Sequence, residues 1–340
     1  MKSQDPSDGM KGFVVFAAIA GIALFGGLVA YSGLGDVGSA VAAAGWATLF
    51  VVLIRAVVIS GCGLSWHLLF PPEHRLPVWV AIGLRFVREG VNTLLPVAMV
   101  GGDVVGARLA TFWRVNLSVA GATTIADVAI QAATSAAFAI LGIGVLMWLH
   151  GDGPLVRYAA MGAAVAVLLI AAFFVAQARI GSRLLNALLA RLGVKGTATE
   201  LVERLWSSLA AIYAAPGRVA RSTLVHMLVW IAGTFEVQVA LHFMGYPVSF
   251  AEALVIESLG QAVRGAAFAV PGGLGVQEGG LVALCALFGI PPGPALALSI
   301  LKRVAELALG LPALIAWQLL EGRRVFRRSE PDDAVTEPRQ

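Results

Sequence analysis

Charged side chains are scarce in this chain, and their scarcity excludes an ordinary soluble protein. Asp, Glu, Lys and Arg together make up only 13% of the 340 residues, whereas hydrophobic residues make up 59%. A typical soluble domain carries about 25% charged residues. Long apolar runs and a mean hydropathy of +0.85 indicate helices that cross a membrane. The sequence therefore predicts an all-α integral membrane protein, a polytopic helical bundle.

Cysteine and histidine are too few and too irregularly spaced to predict a metal or redox site. Cys62 and Cys285 stand alone in apolar surroundings and are predicted to be packing residues. The five histidines lack an HExxH spacing, and His67, His226 and His242 are assigned to helix packing or to the membrane interface. We expect no metal and no cofactor, apart from coupling to protons or cations.

Nucleotide-binding and nucleic-acid-binding patterns are missing as well. There is no Walker sequence, and the glycine-rich stretch GGLGVQEGG follows no predicted strand and lacks the GxGxxG spacing. The basic residues lie where membrane orientation already requires them. We therefore expect no ATP hydrolysis by this chain and no nucleic-acid partner.

Six apolar runs are long enough to cross the hydrocarbon core, which takes about 20 residues. Lysine and arginine concentrate in residues 177–222 and in the C-terminal tail, so the positive-inside rule predicts that both termini and this segment face the cytoplasm. Leucines at helical spacing in 177–222 predict two amphipathic helices on the inner membrane surface, with a soluble connector as the alternative. The six runs are residues 13–32, 39–70, 117–148, 157–177, 222–243 and 295–320.

These features divide the chain into three parts. Residues 1–12 are a cytoplasmic N-terminus, and residues 13–320 are a single transmembrane domain that includes the 177–222 segment. Residues 321–340 have the polar composition of a disordered cytoplasmic tail.

Two further regions, 78–115 and 250–290, are interrupted by proline and paired glycines. In each, an acid follows the proline by seven residues, Asp103 after Pro96 and Glu278 after Pro271. Helical arms of about 10–17 residues favour re-entrant hairpins, the first entering from the cytoplasm and the second from outside, with full crossing as the alternative. Broken backbone at membrane depth must be buried in protein or line a wet cavity.

The similar placement of the two hairpins in the two halves resembles the repeat logic of secondary transporters. The alternative is that the glycines only allow close helix packing.

Polar residues form helical stripes beside both breaks and within the span 117–148. The last span also carries Lys302, Arg303 and Glu306 at the spacing of an intrahelical ion pair. Ionisable groups at membrane depth are costly, so we expect them to face the bundle interior and mark a pathway, with mutual neutralisation as the alternative. The candidate site residues are Arg85, Arg88, Glu89, Asn92, Pro96, Gly101, Gly102, Asp103, Asp127, Gln131, Glu236, Glu257, Gln261, Arg264, Pro271, Gly272, Gly273, Gly275, Glu278, Lys302, Arg303 and Glu306.

Two runs carry a resemblance to a known family. FVREGVNTLLPVAMVGGDVVGARL (86–109) and PGGLGVQEGGL (271–281) look like the membrane domain shared by lysylphosphatidylglycerol synthases and the wider flippase-like group of bacterial and archaeal proteins. The likeness covers roughly residues 13–320, and the first run most resembles the hopanoid-biosynthesis-associated branch.

The resemblance implies a multi-pass protein of the bacterial inner membrane that moves lipids between leaflets, in this branch hopanoids or lipids that carry them. Its implied partners are membrane lipids and proteins of hopanoid biosynthesis or export. Full synthases add a soluble aminoacyl-transfer domain after the membrane part, and this chain ends at Gln340 with a short tail, so we do not expect synthase activity.

The residues leave three functions open. The first is a lipid translocator, in which arginine and asparagine side chains beside the breaks and the half-helix N-termini contact a headgroup, while Asp103 and Glu278 bind a cation or a proton. The second is a membrane-embedded enzyme that modifies a headgroup with Glu89 or Asp127 as general base. The third is a non-catalytic partner that docks other proteins through residues 180–215. We favour the translocator.

Overall fold

The computed structural model describes residues 44–95, 101–151, 197–266 and 275–328, together with Ser39, Ala42 and Met161. These residues are almost entirely helical and contain no strand, which confirms the predicted all-α class. Several predicted features lie outside the described residues: the span 13–32, all but Met161 of the span 157–177, the first amphipathic helix, and Pro96, Pro271, Gly272 and Gly273.

Nine α-helices lie within the described residues. Three of them, α1, α4 and α6, are long and apolar enough to cross a membrane by length and composition. Single turns of 3-10 helix occur at Pro72–His74 and Thr111–Trp113. The helices are α1 (Ala47–Leu69), α2 (Val78–Leu94), α3 (Gly101–Ala110), α4 (Leu117–His150), α5 (Thr197–Tyr213), α6 (Pro216–Phe243), α7 (Phe250–Ala266), α8 (Val276–Ala286) and α9 (Pro292–Arg328).

Some helix ends differ from the predicted ones for local reasons. Helix α6 begins at Pro216 rather than at residue 222, because proline is well suited to the first turn of a helix. Helix α9 continues through Pro312 to Arg328, past the predicted boundary at residue 320.

Helix α5 is the second predicted amphipathic helix. Its apolar face, including Leu209 and Ile212, packs against Ala122 and Ala126 of α4. The bundle therefore covers this face.

Each broken region consists of two short helices, as predicted. The arms have 17 and 10 residues in the first hairpin, α2 and α3, and 17 and 11 residues in the second, α7 and α8. At 1.5 Å per residue the arms are about 15 to 26 Å long, less than the roughly 30 Å of a hydrocarbon core. Arms of this length suit re-entrant hairpins.

The described helices also form two four-helix units, in which corresponding helices begin 169 to 175 positions apart. Helices α1–α4 make the first unit and α6–α9 the second. The second hairpin arms begin at Gly101 and Val276, which lie 175 positions apart in the chain. The long helices that follow begin at Leu117 and Pro292, which are again 175 positions apart.

The contacts between helices show the same correspondence between the two units: replacing each helix by its counterpart gives another observed contact. Helix α1 packs against α6, and the contact of α2 with α9 is matched by that of α7 with α4. The contact of α1 with α9 is likewise matched by that of α6 with α4. The similarity noticed at the two breaks therefore extends to four helices in each half.

The bundle contains two apolar cores at different positions along its length. One contains Val51 of α1 and Leu301 of α9, together with residues of α6, α7 and α8. The other contains Trp66 of α1 and Ala313 of α9, together with residues of α2, α3 and α4. Arg55 lies on α1 between these two cores, so buried charge occupies the level where they meet. We name this level the polar layer; it is made of the two clusters described below.

Candidate functional site

Asp127 of α4 is the centre of the first cluster, which we name the Asp127 cluster. Its side chain is fully buried, with Oδ2 3.1 Å from Arg85 Nη1 and 2.9 Å from Arg88 Nη1. Arg85 and Arg88 lie one turn apart on α2, so both reach the same carboxylate. Asp127 Oδ1 lies 3.1 Å from His226 Nε2 on α6. Glu89 completes the cluster at 3.8 Å from Arg85.

Arg88 also closes the first hairpin. Its Nη2 and Nε donate to Asp103 Oδ1 at 2.6 and 2.9 Å. The backbone N–H of Gly102 donates to Asn92 Oδ1 at 2.7 Å, so a protein acceptor already occupies this amide at the start of α3. A Cβ at position 102 would overlap the Arg88 carbonyl oxygen, so the close approach of α2 and α3 requires glycine there. The Arg88 guanidinium also lies 4.9 Å from the Trp66 ring centroid, a cation–π contact.

Lys302 of α9 is the centre of the second cluster, which we name the Lys302 cluster. Its Nζ donates to Glu257 Oε2 of α7 at 2.5 Å and lies 3.5 Å from Glu236 Oε2 of α6. Arg55 of α1 donates to the same Glu236 oxygen at 2.7 Å. Gln261 Nε2 donates to Glu257 Oε1 at 2.8 Å, as their spacing of four residues predicts. Four helices therefore meet at this lysine.

A set of pairs extends the Lys302 cluster to the second hairpin. Arg264 Nη1 donates to Glu306 Oε1 at 2.5 Å, and Arg303 Nη1 lies 3.5 Å from Glu306 Oε2. The predicted intrahelical pair is thus formed by Arg303 and Glu306, whereas Lys302 reaches across to α7 and α6.

Glu278 closes the second hairpin at its own helix start. Its Oε2 accepts the backbone N–H of Gly275 at 2.6 Å, and its Oε1 accepts from Ser299 at 3.2 Å and from Arg303 Nη2 at 3.3 Å. Gly275 has φ +78, a conformation that favours glycine. The carboxylate of the hairpin therefore caps α8 and ties it to α9.

The two clusters are related by the repeat, but their charges are inverted. Asp127 lies between two arginines, whereas Lys302 lies between two glutamates. An acid in one unit thus takes the place that a base occupies in the other, although both hairpins keep an acid after the break. The pairs that lie 175 positions apart are Glu89 and Arg264, Asp103 and Glu278, Asp127 and Lys302, and Gln131 and Glu306.

A small cavity lies where the two clusters approach each other. Its lining includes Arg55, Glu89, Thr93 and Glu306, and its volume of ≈ 10 Å³ is about what one water molecule needs. Arg55 Nε and Glu306 Oε2 are buried and have no hydrogen-bond partner among the described residues. Since Glu89 belongs to the Asp127 cluster, the cavity connects the two clusters.

A second small cavity lies inside the second hairpin. Its lining includes Gln261, Arg264, Gln277 and Lys302, and its volume is also ≈ 10 Å³. Gln277 is 5% exposed, and its Oε1 has no hydrogen-bond partner among the described residues. The corresponding position in the first hairpin is Gly102, which touches α2 directly.

The structure brings most of the candidate residues together. Gly101 only begins α3. The Asp127 cluster and its hairpin contain Arg85, Arg88, Glu89, Asn92, Gly102, Asp103, Asp127 and Gln131, the last accepting from Arg85 at 3.0 Å. The Lys302 cluster and its hairpin contain Glu236, Glu257, Gln261, Arg264, Gly275, Glu278, Lys302, Arg303 and Glu306.

The candidate list lacks three residues of the site, Arg55, His226 and Gln277. His226 was assigned to packing, yet it forms a hydrogen bond with Asp127. Ser222, one turn earlier on the same buried face of α6, could have indicated that this face is polar. Gln277 gave no signal, because it belongs to no stripe.

Each cation of the two clusters lies within 3.8 Å of a carboxylate, and each carboxylate lies within 3.8 Å of a cation. The charged groups are therefore paired in this conformation. Passage of a charged group through the polar layer requires these pairs to exchange partners, since an unpaired buried charge is costly.

A family model described as the lysylphosphatidylglycerol synthase TM region matches residues 18–313. No curated protein matches the chain, and no solved structure matches it.

Proposed function

Since the chain belongs to the lysylphosphatidylglycerol synthase transmembrane-region family, we propose that it is a lipid translocator of the bacterial inner membrane. The family is one of membrane proteins with a lipid-related function. The proposed cargo is a hopanoid or a hopanoid-bearing lipid, on the resemblance of residues 86–109 to that branch. The proposed orientation has both termini in the cytoplasm, on the distribution of basic residues.

The observation that carries the proposal is the polar layer between the two apolar cores. Both hairpins contribute charged side chains to it, Arg88 from the first and Glu257 from the second. A lipid headgroup that moves between leaflets must cross about 30 Å of hydrocarbon. A buried layer of polar groups lowers the cost of that crossing, and a structural bundle has no need of so many buried charges.

Arginine side chains beside the breaks are the proposed headgroup contacts. Arg88 holds Asp103 and also lies 2.9 Å from Asp127, and Arg264 holds Glu306. An arriving headgroup takes the place of a carboxylate on the guanidinium, with Asn92 as a further contact. The released Asp103 then binds a cation or a proton. Glu278, which Arg303 contacts in the second hairpin, has the same proposed role.

The repeat suggests how the two sides alternate. Helices α2 and α9 touch where Gly90 meets Gly310, with a Cβ at position 90 only 3.0 Å from the Gly310 carbonyl oxygen. The corresponding positions in the other unit are Ser135 and Gly265, and a Cβ on Gly265 meets no described atom within 4 Å. At this level α2 and α9 are therefore closely packed and α4 and α7 are not, whereas two turns away α4 and α7 also pack closely, at Gly142 and Ser258. If the two units exchange conformations, the contact between Gly90 and Gly310 opens and the contact between Ser135 and Gly265 closes.

Lipid transport by hairpin variants tests the proposal. Purified protein in liposomes is assayed for movement of fluorescent lipids between leaflets. We expect Asp103→Asn and Glu278→Gln each to lower the rate by at least about tenfold, because each loses the charge that closes its hairpin, a loss of about 1.4 kcal/mol or more. Glu203→Gln on the exposed face of α5 is the matched control and should retain the wild-type rate.

Normal insertion and folding of each variant are verified before transport is compared. If the folded hairpin variants move lipids as fast as wild type, Asp103 and Glu278 do not have the proposed roles. If the wild-type protein moves no lipid, including hopanoids, the translocator proposal is wrong.

A further inference from the structure

The Asp127 cluster has an unequal number of ionisable groups of each sign. Its arginines are Arg85 and Arg88, and its carboxylates are Glu89, Asp103 and Asp127. With every group ionised, these residues carry a net charge of minus one. Asp127 is fully buried and Arg88 is almost so, which makes an uncompensated charge here costly.

The Lys302 cluster, in contrast, is balanced. Four cations face four carboxylates across it. The cations are Arg55, Arg264, Lys302 and Arg303, and the carboxylates are Glu236, Glu257, Glu278 and Glu306.

His226 lies where the missing positive charge belongs. Its side chain is fully buried on α6, and its Nε2 lies 3.1 Å from Asp127 Oδ1, the carboxylate oxygen that the arginines leave free. Its Nδ1 lies 4.0 Å from Cys62 Sγ. We infer that His226 is a proton-binding site of the polar layer. Its imidazolium balances the Asp127 cluster, and loss of the proton leaves that cluster with its net negative charge.

The surroundings of His226 define which groups control this proton. Helix α6 packs against α1, α4, α5, α7 and α9. Cys62 faces the imidazole from α1 and Asp127 faces it from α4, with the two arginines of α2 behind Asp127. Lys302 of α9 meets α6 at Glu236, ten positions further along, and Glu257 of α7 lies beside Gly233. Among the described contacts, α5 presents no titratable group to His226.

The second unit contains this proton site, and the first unit has no counterpart of it among the described residues. Residues 51–57 of α1, which lie 169 to 175 positions before His226, include no histidine and no acid, so α1 offers no matching proton site. Exchange of the two units therefore does not create a second proton site. On the proposed function, the proton accompanies only one of the two conformations, which couples lipid movement to a proton gradient.

Histidine NMR tests the proton site independently of lipid transport. Full-length protein with ¹⁵N-labelled histidine is measured in lipid nanodiscs at about pH 7, close to the ordinary titration range of histidine. The His226 signal is identified by its loss in His226→Gln. We expect both of its ring nitrogens to carry protons, whereas a neutral imidazole at this pH would overturn the inference. His242→Gln, an exposed histidine on the same helix, is the matched control and should leave that signal in place.

A second measurement keeps the test decisive if His226→Gln does not fold. The wild-type signal is then assigned through its proximity to ¹³C-labelled aspartate, since Asp127 Oδ1 lies 3.1 Å from the ring. The same two ring-nitrogen states support or overturn the inference.

Coupling is measured in liposomes with a pH gradient. We expect the wild-type transport rate to depend on the gradient, His242→Gln to keep that dependence, and His226→Gln to lose it. If the transport rate of the wild-type protein does not depend on the pH gradient, the proposed coupling is wrong. If the wild-type protein moves no lipid at all, the proposed function fails, while the NMR result still decides whether His226 binds a proton.

Discussion

At the scale of single residues, glycine decides how closely the arms of the first hairpin approach. Gly102 and Gly106 of α3 both face Arg88 of α2, and a Cβ at either position would press on that residue. The Asn92 and Arg88 hydrogen bonds form only at this separation. The glycines therefore support the geometry of the polar layer, although they carry no charge.

Replacing Gly102 should destabilise the folded protein. We expect Gly102→Ala to lower the free energy of unfolding by about 1–3 kcal/mol, because the added methyl group overpacks against backbone. Gly83→Ala, in the neighbouring helix, is the matched control: nothing described lies within 4 Å of its Cβ, so its effect should stay below about 1 kcal/mol. Chemical denaturation in detergent measures both. Equal effects at the two positions would contradict the packing argument.

Residue types and stripes were predictable, but their partners were not. The helical period places Arg85, Arg88 and Asn92 on one face of α2, and in the structure Arg85 and Arg88 are buried and Asn92 is half-buried. The period does not say which helix lies opposite. His226 and Asp127, 99 positions apart, meet only because α6 packs against α4.

At the scale of helices, the breaks were predictable because proline and glycine punctuate a helix strongly. Both broken regions have the two short arms expected from the sequence. The exact helix ends were less predictable, since Pro216 begins α6 while Pro312 is tolerated inside α9. The sequence shows the same residue type in both places, and packing decides its effect.

The insertion of the hairpins is tested by cysteine labelling. Val100→Cys and Leu274→Cys are made separately, with Cys62 and Cys285 replaced by alanine. A membrane-impermeant thiol reagent should reach position 100 only from the cytoplasmic side and position 274 only from outside, because each re-entrant hairpin opens to its own side. The reverse pattern would show that the arms cross fully.

At the scale of the whole molecule, inverted charge hides the repeat from the sequence. Asp127 and Lys302 occupy corresponding positions with opposite signs, and Glu89 and Arg264 do the same. In the sequence the relation stands out only at the breaks and at the acids that follow them. Corresponding helix contacts make the relation visible, because packing depends on shape more than on the sign of buried charge.

The repeat predicts that two helix contacts alternate. In a cysteine-free background, Gly90→Cys with Gly310→Cys should cross-link readily and stop transport. Ser135→Cys with Gly265→Cys should cross-link only when the first contact is open. We therefore expect a protein locked at the first pair to lose the second cross-link, as seen by mass spectrometry of the linked peptides. Independent formation of both cross-links in one molecule would contradict alternation; each single-cysteine variant controls for folding.

The central claim is that this protein moves lipids and does not make them. The most direct measurement deletes the gene in its native host and quantifies hopanoids and other lipids in separated inner and outer membranes. The account predicts unchanged total amounts with hopanoids depleted from the outer membrane, restored by the wild-type gene. Loss of one lipid species, with its precursor accumulating in both membranes, would contradict translocation and indicate an enzyme.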